Sequence, residues 1–428
     1  MDTDQELTVR RALLIFSAAM CLLLTGCGAS SGTGRVTALT LWARSDESAF
    51  IQGVVSAFNK SHPQIRIKLT VIPVNNFVQK FGIAVAGNSG PDLASIDVVY
   101  LPLFASTGVL TDLTARAHQL PYFDQFDQSH INNATYRGRL YGLPFSGDAS
   151  VLFYNTTLFR DAGLNPDKPP QTWTAVEQDA QRVAASGGGR SGYYFAGDCG
   201  GCAVFTFLPL IWASHGNILE GPATAQRPTL TDPAVLAALR FYRSMWSAHL
   251  VPVAAQTDSG TSQFTPFESG KVAMFTTGGF GVQTLHQDAP NVPLAATPIP
   301  GQDGGSASFA GGDEIAIARS SHHQQAAWQF IQWVTSASVQ QQYFGNTGVI
   351  PIRRDVAFRD YAPKNSIYRL LAKELFSGRA VYSVQENALI NDPTGPWVTM
   401  IDNAVFTGHI RSAVTQAESS MKSILSRG

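Results

Sequence analysis

The alternation of residues between 37 and 71 constrains the fold more than any other feature of the chain. A short apolar run over 37–42 is followed by Phe50, Ile51, Val54, Val55 and Phe58 at helical spacing, and His62-Pro63 stops that helix. Ile65, Ile67, Leu69 and Val71 then alternate with Arg66, Lys68 and Thr70, the period of a strand with one wet face. Strand, helix and strand in this order predict a right-handed crossover. A second unit is predicted from a helix over 77–86, ending at Gly87, and a mostly apolar strand over 92–99 after Gly90-Pro91. Parallel strands are covered on both faces, so near-continuous apolar strands place the chain in the α/β class. Ligands of such sheets sit outside the carboxyl ends of the strands. The stretch Leu41-Trp42-Ala43-Arg44-Ser45-Asp46-Glu47, where the first strand runs out into charge as a helix begins, is therefore one lip of an expected ligand cleft.

Further along, extended segments over 139–145 and 150–154 flank Ser146-Gly147-Asp148-Ala149, which reads as a crossing between domains. A helix over 172–185 follows Pro169-Pro170, the apolar run over 208–214 fits a helix or a strand, and Pro233 opens a helix with Val235, Leu239, Tyr242 and Trp246 on one face. A strand over 271–276 leads to a turn at Gly278-Gly279-Phe280-Gly281. A loop at Gly311-Gly312-Asp313 precedes a strand over 314–318. Ala327, Phe330, Ile331 and Val334 give the inner face of another helix, and Ala413, Val414, Ala417, Met421 and Leu425 that of the last, over 410–425.

The N-terminus sets the compartment. Arg10 and Arg11 precede an unbroken apolar run over 12–24, ending in Thr25-Gly26-Cys27, so residues 1–26 read as a lipoprotein signal peptide and Cys27 as the lipidated residue. The run is short for a membrane span, which needs about 20 apolar residues. Residues 27–35, rich in Gly and Ser, form a flexible tether. The folded chain is expected to begin near Val36, on the extracytoplasmic face of the cell membrane and held there by lipid alone. Losing the leader removes one net negative charge from a total of −1, and a neutral chain argues against nucleic acid. The remainder is too long for one core of the usual size, so two domains are expected. Once Cys21 and Cys27 are set aside, Cys199 and Cys202 remain as a pair. In an oxidising compartment they are expected to form a structural disulfide stapling a glycine-rich loop, ahead of a redox pair, which usually opens a helix after a strand. One such pair with His215 nearby makes no metal site, and no cofactor is expected.

Four motifs in order carry a resemblance. Phe153-Tyr154-Asn155-Thr156-Thr157-Leu158-Phe159-Arg160-Asp161-Ala162-Gly163-Leu164 followed by Pro170-Gln171-Thr172-Trp173, then Phe267-Glu268-Ser269-Gly270-Lys271-Val272-Ala273-Met274-Phe275, then Ala326-Ala327-Trp328-Gln329-Phe330-Ile331, then Gly348-Val349-Ile350-Pro351-Ile352-Arg353 together resemble the family 1 extracellular solute-binding proteins, whose familiar member is maltose-binding protein. Within that family the chain is similar to actinobacterial lipoproteins of sugar importers. The resemblance implies a two-lobed periplasmic-binding-protein fold with a hinge of two or three crossings and an interlobe cleft. It places residues 36–145 and 278–342 in the N-terminal lobe, and 146–277 and 344–428 in the C-terminal lobe.

A sugar is held by acids and amides on its hydroxyls and by aromatic rings against its C–H faces. The resemblance puts Asp46 and Glu47 where sugar binders of the family place two polar contacts, though acids there also favour a helix N-terminus. It makes Asp148 a ligand-contacting acid, with turn formation as the alternative. Asp97, at the end of an apolar strand, either lines the cleft or pairs with a core partner, because an uncompensated buried carboxylate is costly. Phe280 stands where relatives carry a stacking tryptophan, Trp397 matches another stacking aromatic, and Phe205 near Cys202 is a third candidate. Gly312 and Asp313, with Gly311 and Glu314, bring backbone N–H groups and an acid to the ligand or make a plain turn. Trp42, Trp173, Trp246, Trp328 and Trp333 fall at core spacing; Trp212 is open.

If Asp46, Glu47, Asp97, Asp148 and Asp313 all face the cleft, the site is more anionic than neutral hydroxyls require. That points to an amino sugar, or to a short oligosaccharide that masks several acids. A glycerophosphodiester, the alternative ligand, needs cations, and Arg44 and Arg353 are the ones placed to supply them. The expected function is that of a monomeric substrate-binding lipoprotein which delivers a small-molecule carbohydrate to the transmembrane permease subunits of an ABC importer, and is not an enzyme. An exported glycoside hydrolase using two of the carboxylates is the rival; no Gly-x-Ser-x-Gly, His-Glu-x-x-His or phosphate-loop motif supports one. A structural envelope lipoprotein would leave the acids unexplained.

Overall fold

The computed structural model describes residues 36–223, 225–361 and 366–427. The expected signal peptide, Cys27 and the expected tether lie outside the described residues. The first strand β1 (Thr37–Arg44), helix α1 (Ser48–Ser61), strand β2 (Ile65–Ile72), helix α2 (Val74–Ala86) and strand β3 (Leu93–Asp97) form the two expected crossover units. β1 is paired in parallel with β2, Thr37 opposite Ile65, and with β3, Leu41 opposite Leu93.

The chain then enters β4 (Leu143–Asn155), a single strand of 13 residues where two segments and a turn were expected. It has no turn because Ser146, Gly147 and Asp148 pair with Asp313, Gly312 and Gly311 and so stay extended. Next come α3 (Trp173–Ala185), β5 (Ser191–Tyr194), α4 (Gly200–Thr206), α5 (Pro233–Ser247), β6 (Val272–Gly278), α6 (Phe280–Asp288), β7 (Leu294–Thr297), β8 (Ala310–Ile317) and α7 (Gln324–Val334), and finally α8 (Ile367–Ser377), α9 (Pro396–Val405) and α10 (Ile410–Leu425). Local chemistry fixes several helix starts: the Thr172 side chain accepts from Ala175 N at 3.2 Å to cap α3, and Asp232 accepts from Ala234 N at 2.7 Å to cap α5, with Pro233 in its first turn. The run over 208–213 is a helix.

One sheet runs β2-β1-β3-β8-β4-β6-β5, with β7 added alongside β4. β4 belongs to both lobes. Its first half pairs with β8, and its second half pairs antiparallel with β6 and with β7. Two hydrophobic cores flank the crossing. One gathers Leu39, Leu41, Phe58, Phe81, Phe145 and Ile331; the other gathers Phe153, Phe159, Tyr193, Tyr242, Phe275 and Trp397. Each buried phenylalanine contributes about 1.5–3 kcal/mol by leaving water.

Residues 278–309, expected in the first lobe, belong to the second. β7 pairs with Leu152 to Asn155, and Val282, Leu285 and Ile299 pack in the second core. The return crossing is therefore β8, not the segment after β6. A third segment passes at Ile350, which exchanges backbone hydrogen bonds with Gly147 at 3.0 and 3.2 Å. A Cβ at Gly147 would lie 2.8 Å from the Ile350 carbonyl oxygen, so glycine is required for that approach. Gly312, beside it on β8, has φ +120, and a Cβ there would meet the Ser146 carbonyl oxygen at 2.1 Å.

Candidate functional site

A cavity of about 480 Å³ opens between the two cores at this crossing. Its first wall is built by strand ends. Arg44 ends β1, Asp97 ends β3 and Asp313 lies on β8 beside a register shift, so all three carry their side chains to one place. Arg44 Nη2 lies 3.1 Å from Asp46 Oδ2 and 3.0 Å from Asp313 Oδ1, and Nη1 lies 2.8 Å from Asp97 Oδ2. The Asp46 pair is bidentate and aligned, while Arg44 Nη1 and Asp313 Oδ1 lack well-aligned hydrogen bonds. Asp313 also accepts from Ser146 Oγ at 2.9 Å. Glu47 closes the short helical turn by accepting from Arg44 N at 3.1 Å, and leaves its second oxygen buried without a hydrogen-bond partner. Glu47 is thus a cap as well as a lining residue, whereas Asp46 pairs with the guanidinium.

The second wall comes from the other core. Phe205 on α4 and Phe280 at the start of α6 meet edge to face, ring centroids 6.1 Å apart at 90°, and Phe280 is 45% exposed. Gln263, Gln283, Thr284 and Gln287 surround them with amides and a hydroxyl. Asp148 stands between the walls, accepting from Ala149 N at 2.8 Å and Phe280 N at 3.3 Å. A Cβ on Gly278 would come 2.2 Å from its Oδ2.

Burial governs the charges. It pushes the Asp148 carboxyl up to about 7 against its backbone N–H donors. Asp313 is likewise pushed up to about 7 by burial, with Arg44 opposing and Asp97 and Asp46 assisting. Burial also raises Glu47 and Asp97, in each case against Arg44. For Arg44, burial works against the charge, but Asp313, Asp97, Asp46 and Glu47 outweigh it and hold the guanidinium protonated.

Eight of the nine expected ligand residues line this cavity: Asp46, Glu47, Asp97, Asp148, Phe205, Phe280, Gly312 and Asp313. Trp397 does not. It is 0% exposed, in the second core, with its ring 5.7 Å from Phe207, because α9 turns that face inward. Trp212 is buried there too. Gly311 to Glu314 form strand rather than loop, and Glu314 turns away from the cavity to His130 at 3.2 Å. Cys199 and Cys202 are disulfide-bonded, and Cys202 lines the cavity. The pair opens α4 shortly after β5, contrary to the expected plain glycine loop. Arg353 is not a cavity residue; it forks onto Asp355 and lies over the Tyr122 ring at 4.1 Å.

The sequence profile of the bacterial extracellular solute-binding proteins matches residues 42–341. The chain belongs to that family. Relatives of this solute-binding protein include the diacetylchitobiose-binding protein DasA of Streptomyces coelicolor, 23% identical over 406 residues that span 91% of this chain and 92% of the relative. Another is the sn-glycerol-3-phosphate-binding periplasmic protein UgpB of Yersinia enterocolitica, 23% identical over 374 residues, 79% of each chain. Among solved structures, the GacH receptor of Streptomyces glaucescens matches with a TM-score of 0.80 at 24% identity, over 91% of this chain and 99% of that one. That likeness establishes the two-lobed fold. The family consists of binding proteins, and this member is not an enzyme. No helix among the described residues is long and apolar enough to cross a membrane.

Sequence reasoning missed the polar face of α6. Phe280, Gln283, Thr284 and Gln287 recur at helical spacing directly after the Gly278-Gly279 pair, a signal hidden by reading the glycines as a turn.

Proposed function

We propose that this solute-binding protein captures a carbohydrate between its lobes and delivers it to the permease of an ABC importer, working from a lipid anchor at Cys27. The carrying observation is the pairing of the two walls: carboxylates that accept from hydroxyls on one side, and an exposed Phe280 with Phe205 and three glutamines on the other. Carboxylate acceptors give strong, directional bonds to hydroxyls, and aromatic faces take the C–H side of a sugar ring. Lobe closure about the crossings at Gly147, Gly312 and Ile350 follows ligand entry as a population shift. The relative named for diacetylchitobiose and the neighbour solved with acarbose agree with a carbohydrate.

Within that class we favour an amino sugar or a short oligosaccharide. Five acids face one arginine in the cavity lining, and an ammonium on the ligand takes the place of the protons that burial otherwise draws onto Asp148 and Asp313. The glycerophosphodiester reading is weaker, because Arg44 is the one cation among the described residues lining the cavity and three carboxylates already surround it. Titration calorimetry with glucosamine, chitobiose, a neutral disaccharide and a glycerophosphodiester tests the proposal. Binding of at least one sugar is expected; binding of the phosphodiester alone contradicts it.

A further inference from the structure

A single guanidinium organises the acid wall. Arg44 is 5% exposed and reaches carboxylates at the ends of two strands and on a third: Asp46 just past its own, Asp97 from β3 and Asp313 from β8. Its alignment is good only toward Asp46, so Asp313 Oδ1 is held close without a spent hydrogen bond. Asp313 in turn sits on the return crossing, hydrogen-bonded to Ser146 of the other crossing strand. The remaining titratable groups near this centre are Glu47 on its own turn, Tyr100 and Glu386 beyond Asp97, and Asp148 across the cavity; none brings a positive charge. His130 is committed to Glu314.

We propose that Arg44 is a specificity-determining residue that sets the balance between cationic and neutral sugars. It acts through the carboxylates it holds rather than as a ligand contact. With Arg44 present, part of the wall is neutralised and aimed: Asp97 and Asp313 keep lone pairs for hydroxyl donors, so a neutral sugar can bind beside a residual negative charge that still attracts an ammonium. Without it, the same carboxylates lose their counter-charge. The wall then either takes up protons, which spoils it as an acceptor for neutral hydroxyls, or waits for a cation. Coulomb attraction over a few ångströms at a partly buried site is large enough to move such a balance by a factor of ten or more. The inference rests on the carbohydrate reading of the cavity.

The test compares a disaccharide containing a single glucosamine unit with its N-acetylated counterpart, two ligands that differ in charge at one nitrogen, by calorimetry between pH 5.5 and 8. Arg44→Met keeps the length of the side chain and removes the charge. The ratio of affinities, amine over amide, is expected to rise about tenfold in Arg44→Met. Binding of the amide form should also become more steeply pH-dependent than in the wild type, strengthening as pH rises and the wall gives up its protons. Arg44→Lys should restore most of the wild-type ratio. Should Arg44→Met fail to fold, Asp97→Asn and Asp313→Asn remove single acids instead and are expected to lower the ratio. An unchanged ratio and pH profile in folded Arg44→Met, or in both asparagine variants, overturns the inference while leaving the carbohydrate reading intact. Wild-type protein that binds neither ligand nor any other sugar overturns both.

Discussion

Asp313 and Glu314 are neighbours on one strand, yet they belong to opposite kinds of buried charge. Glu314 points into the protein at His130; both are 0% exposed, buried Asp127 is a second carboxylate near the ring, and His130 Nε2 lies 2.9 Å from the Gly311 carbonyl oxygen. Asp313 points into the cavity, where Arg44 is shared with Asp46, Asp97 and the carboxylate of Glu47 nearby. Successive side chains on a strand face opposite sides, so one strand serves both clusters. A cluster sealed away from the cavity is a structural element. An open cluster with acids in excess is incomplete, and that incompleteness is what a ligand can satisfy.

The contrast can be broken most severely at the sealed pair. His130→Leu leaves Glu314 buried without its partner and is expected to cost about 3–5 kcal/mol in urea unfolding. The affinity of the folded fraction for sugar should not change. At the open cluster the reverse is expected. Asp148→Asn keeps an acceptor for Ala149 N but loses the charge; calorimetry should show affinity about 10–100-fold weaker, with thermal stability at pH 8 no lower than wild type. The two clusters also separate by pH. Asp148 and Asp313 have folded values raised to about 7, above their unfolded ones, so the folded state holds more protons. Their contribution is complete below about pH 4 and is lost as pH rises through about 7. The protonated His130, raised to about 9 by Glu314 against its burial, contributes fully below about 6.5 and loses that contribution toward about 9. Thermal melts of the ligand-free protein should therefore fall by a few degrees in the lower window in wild type and by less in the Asp148→Asn, Asp313→Asn double variant, where Glu47 and Asp97 are still raised, and again in the upper window in both. On the opposite wall, Phe280→Ala should weaken binding about 2–10-fold without changing stability, since the ring is half-exposed. Trp397→Phe should leave affinity unchanged and lower the melting midpoint only slightly.

How far these features could be read from the chain depends on the range of the interaction. Periodicity is local, and the crossover units at 37–97 and the last helix at Ile410–Leu425 followed from it. Asp46, Glu47 and Asp148 were legible through the family resemblance, and Asp97 because a carboxylate ending an apolar strand is costly without a partner. Arg44 was visible only as a spare cation; its pairing with Asp97 and Asp313 joins positions far apart in sequence, which no local pattern encodes. The lobe boundary failed for a related reason. Gly278-Gly279 looks like a break, but the glycines are there for close approach to Asp148, and the chain stays in the second lobe until β8. Trp397 failed because a glycine and a proline before it start a helix rather than expose a ring.

The most direct measurement is a crystal structure of the protein with the tightest-binding sugar of the calorimetry panel. The account predicts ring atoms against Phe280 and Phe205, hydroxyl or amino groups within about 2.6–3.2 Å of Asp97, Asp148 or Asp313, and an intact Arg44 centre behind them. A sugar bound elsewhere on the molecule, or lying in the cavity without touching any of those carboxylates, would contradict it.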